Sequence, residues 1–246
     1  MRLHKRAACF LGFSLAWTFA AGPIAFARDA KDDQIREAIE KSLEKEKIES
    51  LSVSVSKGTV SLTGTVRNIF VQKKAVQIAL DQPEAEDVEA DIEIATAESD
   101  KELGEEVIKQ IRRYTRFTAF DDVSAMIRDG NVGLMGWVTA PYKKTDLEKR
   151  MYDVLGIQGF ENQIVLLPNS QQDDQLRQTL WDRIYRDPMF EDLASMPVPP
   201  IHIIVANARV ILTGVVRNQM YATKAMSNVR STPGVLDVQN KLRIGS

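Results

Sequence analysis

Apolar residues follow one pattern three times along the chain. Ile35, Ile39 and Leu43 are four apart, as are Leu103, Val107 and Ile111, and again Leu176, Leu180 and Ile184, a spacing that predicts an amphipathic helix each time. After each helix, apolar and polar residues alternate through two runs that meet at Lys57-Gly58, Asp129-Gly130 or Asn207-Ala208. Alternation predicts strands, and the first two dipeptides are hairpin turn residues. The second strand carries Val60, Leu62, Gly64 and Val66, matched by Val132, Leu134, Gly136 and Val138 and by Val210, Leu212, Gly214 and Val216, at offsets of 72 and 78. A second helix is predicted over Ile69 to Leu80, Pro141 to Leu155 and Gln219 to Arg230, and a last strand closes each repeat.

The same offsets hold without a gap from Leu51, Val53 and Val55 to Val88, Ile92 and Ile94 and their counterparts. The link from first helix to first strand gains four residues in the second repeat and nine in the third, where Pro197, Pro199 and Pro200 mark a loop. Each repeat reads α-β-β-α-β. The fold class is α+β, with two helices packed on one face of a three-stranded sheet. Gly64, Gly136 and Gly214 lie on the covered face, where a missing side chain predicts close approach by a helix.

Residues 1–27 break the pattern. Arg2, Lys5 and Arg6 precede an uncharged apolar run from Ala7 to Ala21, then Pro23 and the small residues Ala25 and Ala27. This is expected to be a secretory signal peptide cleaved before Arg28, because the apolar run is shorter than the roughly 20 residues a membrane span needs. Three domains are expected beyond it, at 28–98, 99–169 and 170–246.

At 44% hydrophobic and 27% charged, the 246 residues cannot be a disordered or collagenous chain. The one cysteine, Cys9, and His4 leave with the signal, so the exported chain holds His202 alone for imidazole chemistry. A disulfide scaffold, a thiolate metal site and a Cys-His dyad are thereby excluded. No cofactor or metal is expected. Neither a Walker loop, a dinucleotide fingerprint nor a nucleophile elbow occurs, and no enzymatic constellation is expected. The acidic pairs Asp32-Asp33, Asp121-Asp122 and Asp173-Asp174 are expected to favour a helix dipole or solvate a turn, and Asn68 and Asn218 to cap helices. Export and mild acidity weigh against a nucleic-acid partner.

The helix, the G-x-V-x-L-x-G-x-V hairpin and the closing Gly-[Val/Ile]-x-x-[Val/Phe]-x-Asn-x-[Leu/Ile] strand at Gly156 to Ile164 and Gly234 to Leu242 resemble the BON domain. The first repeat departs at its close, with Glu84 for Gly and Ala90 for Asn, and the third has Ala208 for the turn Gly. The resemblance implies an exported, non-enzymatic envelope protein, periplasmic or peripheral to a membrane. It further implies phospholipid binding or protection of the envelope under osmotic stress. The alternative is a protein-interaction module that engages other envelope proteins or copies of itself.

Strand parity separates the repeats on the sheet face turned away from the helices. The first presents Ser52, Ser54, Ser56, Ser61, Thr63, Thr65, Glu89, Asp91 and Glu93; the second presents Met126, Met135, Trp137 and Val165; the third presents Ile204, Ile211 and Val215. Such apolar faces mark an interface. Either the second and third repeats cover each other's sheets within one molecule or pair between molecules, or the face contacts acyl chains with Trp137 at its centre. Counted from Arg28, the repeats carry about -6, -1 and +2 charges. The third repeat, with Arg209, Arg217, Lys224, Arg230, Lys241 and Arg243, is thus the candidate for an anionic surface. The candidate lipid or interaction residues are Met126, Met135, Trp137, Ile204, Ile211, Val215, Arg217, Lys224, Lys241 and Arg243.

Overall fold

In a computed structural model that describes residues 2–4, 24–97, 99–196 and 198–245, the three repeats all take the predicted element order. A short strand, β1 (Arg2–His4), precedes them. The first comprises α1 (Ile24–Lys45), β2 (Leu51–Ser56), β3 (Thr59–Val66), α2 (Ile69–Leu80) and β4 (Asp87–Ile94). The second comprises α3 (Asp100–Arg112), β5 (Asp122–Arg128), β6 (Asn131–Val138), α4 (Pro141–Met151) and β7 (Gly159–Leu166). The third comprises α5 (Gln171–Tyr185), α6 (Glu191–Ala194), β8 (Ile201–Ala206), β9 (Arg209–Val216), α7 (Gln219–Arg230), β10 (Asp237–Asn240) and β11 (Arg243–Ile244). Most of the expected signal segment, residues 5–23, lies outside the described residues, and α1 starts at Ile24, ahead of the expected cleavage point.

The middle strand of each sheet is the second strand of its repeat. β3 pairs antiparallel with β2 and parallel with β4, and β9 pairs antiparallel with β8 and parallel with β10 and β11. β1 adds to the free edge of β4, Arg2 opposite Glu89. The central strands bury one face: Val60 and Leu62 are 0% exposed, as are Leu134, Val138 and Leu212. Chain contacts group the residues into two compact units, one of Met1–Ser99 with Val154–Gly159, the other of Asp100–Asp153 with Phe160–Ser246.

Sequence expectations fail locally in four places. Gly64, Gly136 and Gly214 adopt φ of 135°, 127° and 105°, and a Cβ on each would lie 2.5, 2.0 and 1.9 Å from the carbonyl oxygens of Ser50, Asp122 and Pro200. The close neighbour is thus the backbone leading into the paired strand, not a helix. α4 stops at Met151 instead of Leu155, within one residue of where its counterparts α2 and α7 end. The proline-marked insertion of the third repeat begins with the short helix α6, anchored by Phe190 at 0% and Leu193 at 4% exposure. Its closing strand is split after Asn240, whose side chain accepts from the Leu242 N–H at 3.0 Å.

A recurring clamp ties the first helix of each repeat to its hairpin. All turn residues are left-handed, with φ of 53° and 78° at Lys57-Gly58, 50° and 74° at Asp129-Gly130, and 51° and 60° at Asn207-Ala208. That geometry points both turn N–H groups outward from the ladder. Asp32 accepts both in the first repeat, at 2.6 and 2.9 Å, Asp100 does so in the second at 2.7 and 2.9 Å, and Asp173 in the third at 2.8 and 2.9 Å. The aspartate stands three residues before the first apolar helix position in every repeat; Asp32 lies beyond the first turn of α1 and serves the clamp, whereas Asp173 serves the clamp and also lies in the first turn of α5, as the helix-dipole expectation has it.

Candidate functional site

The outer sheet face of the first repeat is polar and mostly open: Ser52, Ser54, Thr63, Thr65, Asp91 and Glu93 are exposed. In the second unit the expected surface residues divide. Met126 is 59% exposed and Val165 53%, whereas Met135 and Trp137 are half-buried. Val215 is 43% exposed and Ile211 half-buried, but Ile204 is only 1% exposed and lies out of reach of any external ligand.

The basic candidates divide as well. Arg217 pairs with Asp192, donates to the Tyr221 hydroxyl at 3.2 Å and lies 5.7 Å from the Tyr221 ring centroid. Lys224 pairs with Asp187 at 3.1 Å. Both charges are therefore matched within the third repeat. Lys241 lies 5.6 Å from the centroid of the Trp137 ring, a cation–π contact. Arg243 stands opposite Val215 in the β11–β9 register and is exposed. Lys241 lies in the break between β10 and β11, and Arg243 opens β11. The result is two apolar–basic couples, Trp137 with Lys241 and Val215 with Arg243.

The Arg-Asn dipeptides after the second strand both act as helix caps. Asn68 accepts from the Val71 N–H at 3.1 Å, and Asn218 from Met220 and Tyr221 at 3.0 and 3.2 Å. In the first unit this corner is also covered. The Asn68 amide donates to the Val154 carbonyl at 2.8 Å, the Ile69 N–H to the Ile157 carbonyl at 2.8 Å, and the Gly156 N–H to the Arg67 carbonyl at 2.8 Å. Gln158 reaches the Ala95 carbonyl at 3.1 Å. Gly156, at φ 87°, is required there, since a Cβ would lie 2.6 Å from the Ala97 nitrogen. Asn68, Ile157 and Val154 end at 0%, 0% and 1% exposure.

The second repeat has Thr139-Ala140 instead, and Ala140 makes no side-chain cap bond. Its corner holds a buried ion pair. Lys143 Nζ donates to Asp121 at 2.5 Å and to the Thr139 hydroxyl at 2.8 Å, with side chains 4% and 0% exposed. Asp121 also accepts from the N–H and hydroxyl of Thr118, at 2.9 and 2.8 Å, and from those of Thr139, at 2.8 and 2.9 Å. Burial alone would raise the Asp121 carboxyl, but Lys143 and these donors outweigh it and hold the group below the usual carboxylate range. The network fixes the loop whose Ala119 and Phe120 pack into the core of the third repeat, where the Ala119 carbonyl accepts from the Ile203 N–H at 2.6 Å. Asp121 is therefore a structural pin rather than the solvated turn residue expected.

Sequence reasoning missed these clamps and the Asp121 pin. The clamp was findable, because the three aspartates align once the helices are aligned; the pin was not, since its partners are 3, 18 and 22 residues from Asp121. His202 sits half-buried on β8 with Nδ1 unpartnered, opposite Thr213, whose buried hydroxyl is also unpartnered. Among the described residues, no three His, Cys, Asp or Glu side chains could jointly hold a metal, and no helix is long and apolar enough to cross a membrane.

No curated protein matches the chain. Among solved structures, CdsD, a structural protein of the type III secretion system of Chlamydia trachomatis, is 13% identical over 87% of this chain and 94% of its own, with a TM-score of 0.25. The periplasmic domain of the type III secretion inner-membrane protein PrgH from S. typhimurium is 12% identical over 83% and 98%, with a TM-score of 0.20. Likeness this low carries no inference about function. The family model of the BON domain matches residues 31–96 and 172–246, the first and third repeats and more than half of the chain. With the α-β-β-α-β order found in every repeat, this places the chain in the BON domain family.

Proposed function

We propose that this protein is an exported, non-catalytic binding protein of the bacterial cell envelope and that its second unit rests on an anionic phospholipid surface. The observation that carries this reading is the pair of apolar–basic couples, Trp137 with Lys241 and Val215 with Arg243, beside exposed Met126 and Val165. Apolar groups that enter the headgroup layer beside cations that meet phosphates are what an interfacial protein needs. Each cation near an anionic leaflet contributes about 1 kcal/mol. The first unit, with acids and hydroxyls on its outer face, is repelled and stays in water.

Sedimentation with phosphatidylglycerol vesicles tests this. In a Trp181→Phe background, Trp137 emission should shift to the blue with those vesicles but not with phosphatidylcholine ones, and Lys241→Gln with Arg243→Gln should abolish pelleting. Pelleting that survives both substitutions, or never occurs, refutes the reading.

A second reading, a protein-interaction module without lipid, draws on the burial of Ile204 and on the matched charges of Arg217 and Lys224. A stoichiometric crosslinked partner with no copurifying lipid would favour it.

A further inference from the structure

The geometry points to a self-docking site: the turn Arg217-Asn218-Gln219 of one molecule receives the loop 232–236 of a second copy. This goes beyond the membrane reading and needs no lipid. Its precedent lies inside the first unit, where Arg67-Asn68-Ile69 binds residues 154–158 through three backbone-directed hydrogen bonds. Offset by 78 residues, Val154, Gly156 and Ile157 correspond to Thr232, Gly234 and Val235.

Both halves of this joint recur in the third repeat, and among the described residues no hydrogen bond joins either of them to another repeat. Arg217, Asn218 and Gln219 are exposed, whereas Asn68 is 0% exposed. Among the described residues, no hydrogen bond reaches the Arg217 carbonyl, the Asn218 side-chain amide, or the N–H groups of Gln219 and Gly234. Gly234 keeps the left-handed φ, 91° against 87° at Gly156, yet nothing lies within 4 Å of where its Cβ would be. Its own repeat holds the loop in that shape, with Thr232 at 3% exposure, Val235 packed against the core and the Leu236 N–H donating to the Ala208 carbonyl at 2.9 Å, and leaves Gly234 open. Leu236 is 76% exposed beside it. A cavity of about 490 Å³ opens next to the turn, lined by Pro188, Met189, Glu191, Asp192, Arg217 and Tyr221, with room for apolar side chains of an incoming loop.

The first repeat holds a receptor turn and the second a loop, but these are already joined to each other, and neither repeat has the other half. Pro141 stands where Ile69 offers its N–H and Ala140 where Asn68 offers its amide, so the second repeat has no receptor turn. Glu84 replaces the loop glycine in the first. One receptor and one loop remain, both on the third repeat. A contact between unlike surfaces of identical molecules is head-to-tail, and it propagates into a ring or filament.

Sedimentation equilibrium of the chain from Arg28 onward, across about 1 to 200 µM, is the test, because a joint this small gives micromolar affinity. Average mass should rise with concentration. N218D keeps the helix cap, since Asp caps as well as Asn, but loses the amide donor. G234N tolerates positive φ but blocks the approach. Each variant alone should lower association at least about tenfold, or 1.4 kcal/mol, with melting unchanged. Mixed, they should form pairs and nothing larger, because one retains the receptor and the other the loop. A monomer throughout, association unaffected by N218D, or a mixture that does not pair would overturn the proposal.

Discussion

Asn68 and Asn218 occupy the same position of the same motif, follow an arginine and cap a helix of 12 residues each. One is sealed at 0% exposure beneath residues 154–158; the other is open to water. Local chemistry is therefore the same in both places, and what differs is only whether a loop arrives. The second repeat shows a different solution, in which Pro141 fixes the helix start and the corner is held by Asp121 and Lys143. A cap is a local device that any polar side chain with the right reach can supply. A joint additionally needs a free amide, a free N–H and a glycine on the approaching chain.

The largest effect that sharpens this contrast should come from the second repeat. Lys143→Met leaves the Asp121 carboxylate buried without its cation and should cost about 3 to 5 kcal/mol in urea unfolding. The double change with Asp121→Asn should recover most of that, since a neutral pair has no charge to desolvate. Acid probes the same group. A carboxyl whose folded pKa lies below the unfolded value of about 3.9 contributes fully above that value, and the contribution is lost as pH falls through the folded one. Unfolding below about pH 4 should accordingly be steeper for wild type than for the double variant.

Next in size is the contrast between the two caps. Asn68→Ala removes the cap and a buried hydrogen bond, for about 2 to 3 kcal/mol, whereas Asn218→Ala removes the cap alone, for about 1 kcal/mol. Equal losses would mean that the loop contributes nothing at Asn68. Below these stands the hairpin clamp. Asp173→Ala, at 2% exposure, should cost about 2 kcal/mol through two charge-assisted bonds, more than the same change at exposed Asp100. The smallest effect is a gain: Ala208→Gly relieves a side chain at φ 60° and should stabilise by about 0.5 kcal/mol in thermal unfolding.

Much of this could be read from the residues. The helices Ile69–Leu80 and Gln219–Arg230 begin and end where periodicity and the Asn caps put them, and Asn207-Ala208 makes the same left-handed turn as its glycine counterparts despite lacking glycine. Alternation places the central glycines on the covered face but does not reveal that the backbone at Ser50, Asp122 and Pro200, rather than a helix, passes beside them. Ile204 shares the parity of Val215, yet one is covered and the other open.

Hydrophobic period and turn chemistry act over a few residues, so the order of elements, their caps and the threefold repeat were determined by the sequence alone. The pairing of Asn68 with Val154, the burial of Asp121 with Lys143 and the placing of Lys241 over Trp137 join residues 86, 22 and 104 apart. Such contacts depend on how folded elements come together in space, which no local pattern encodes, and only the tertiary structure decided them.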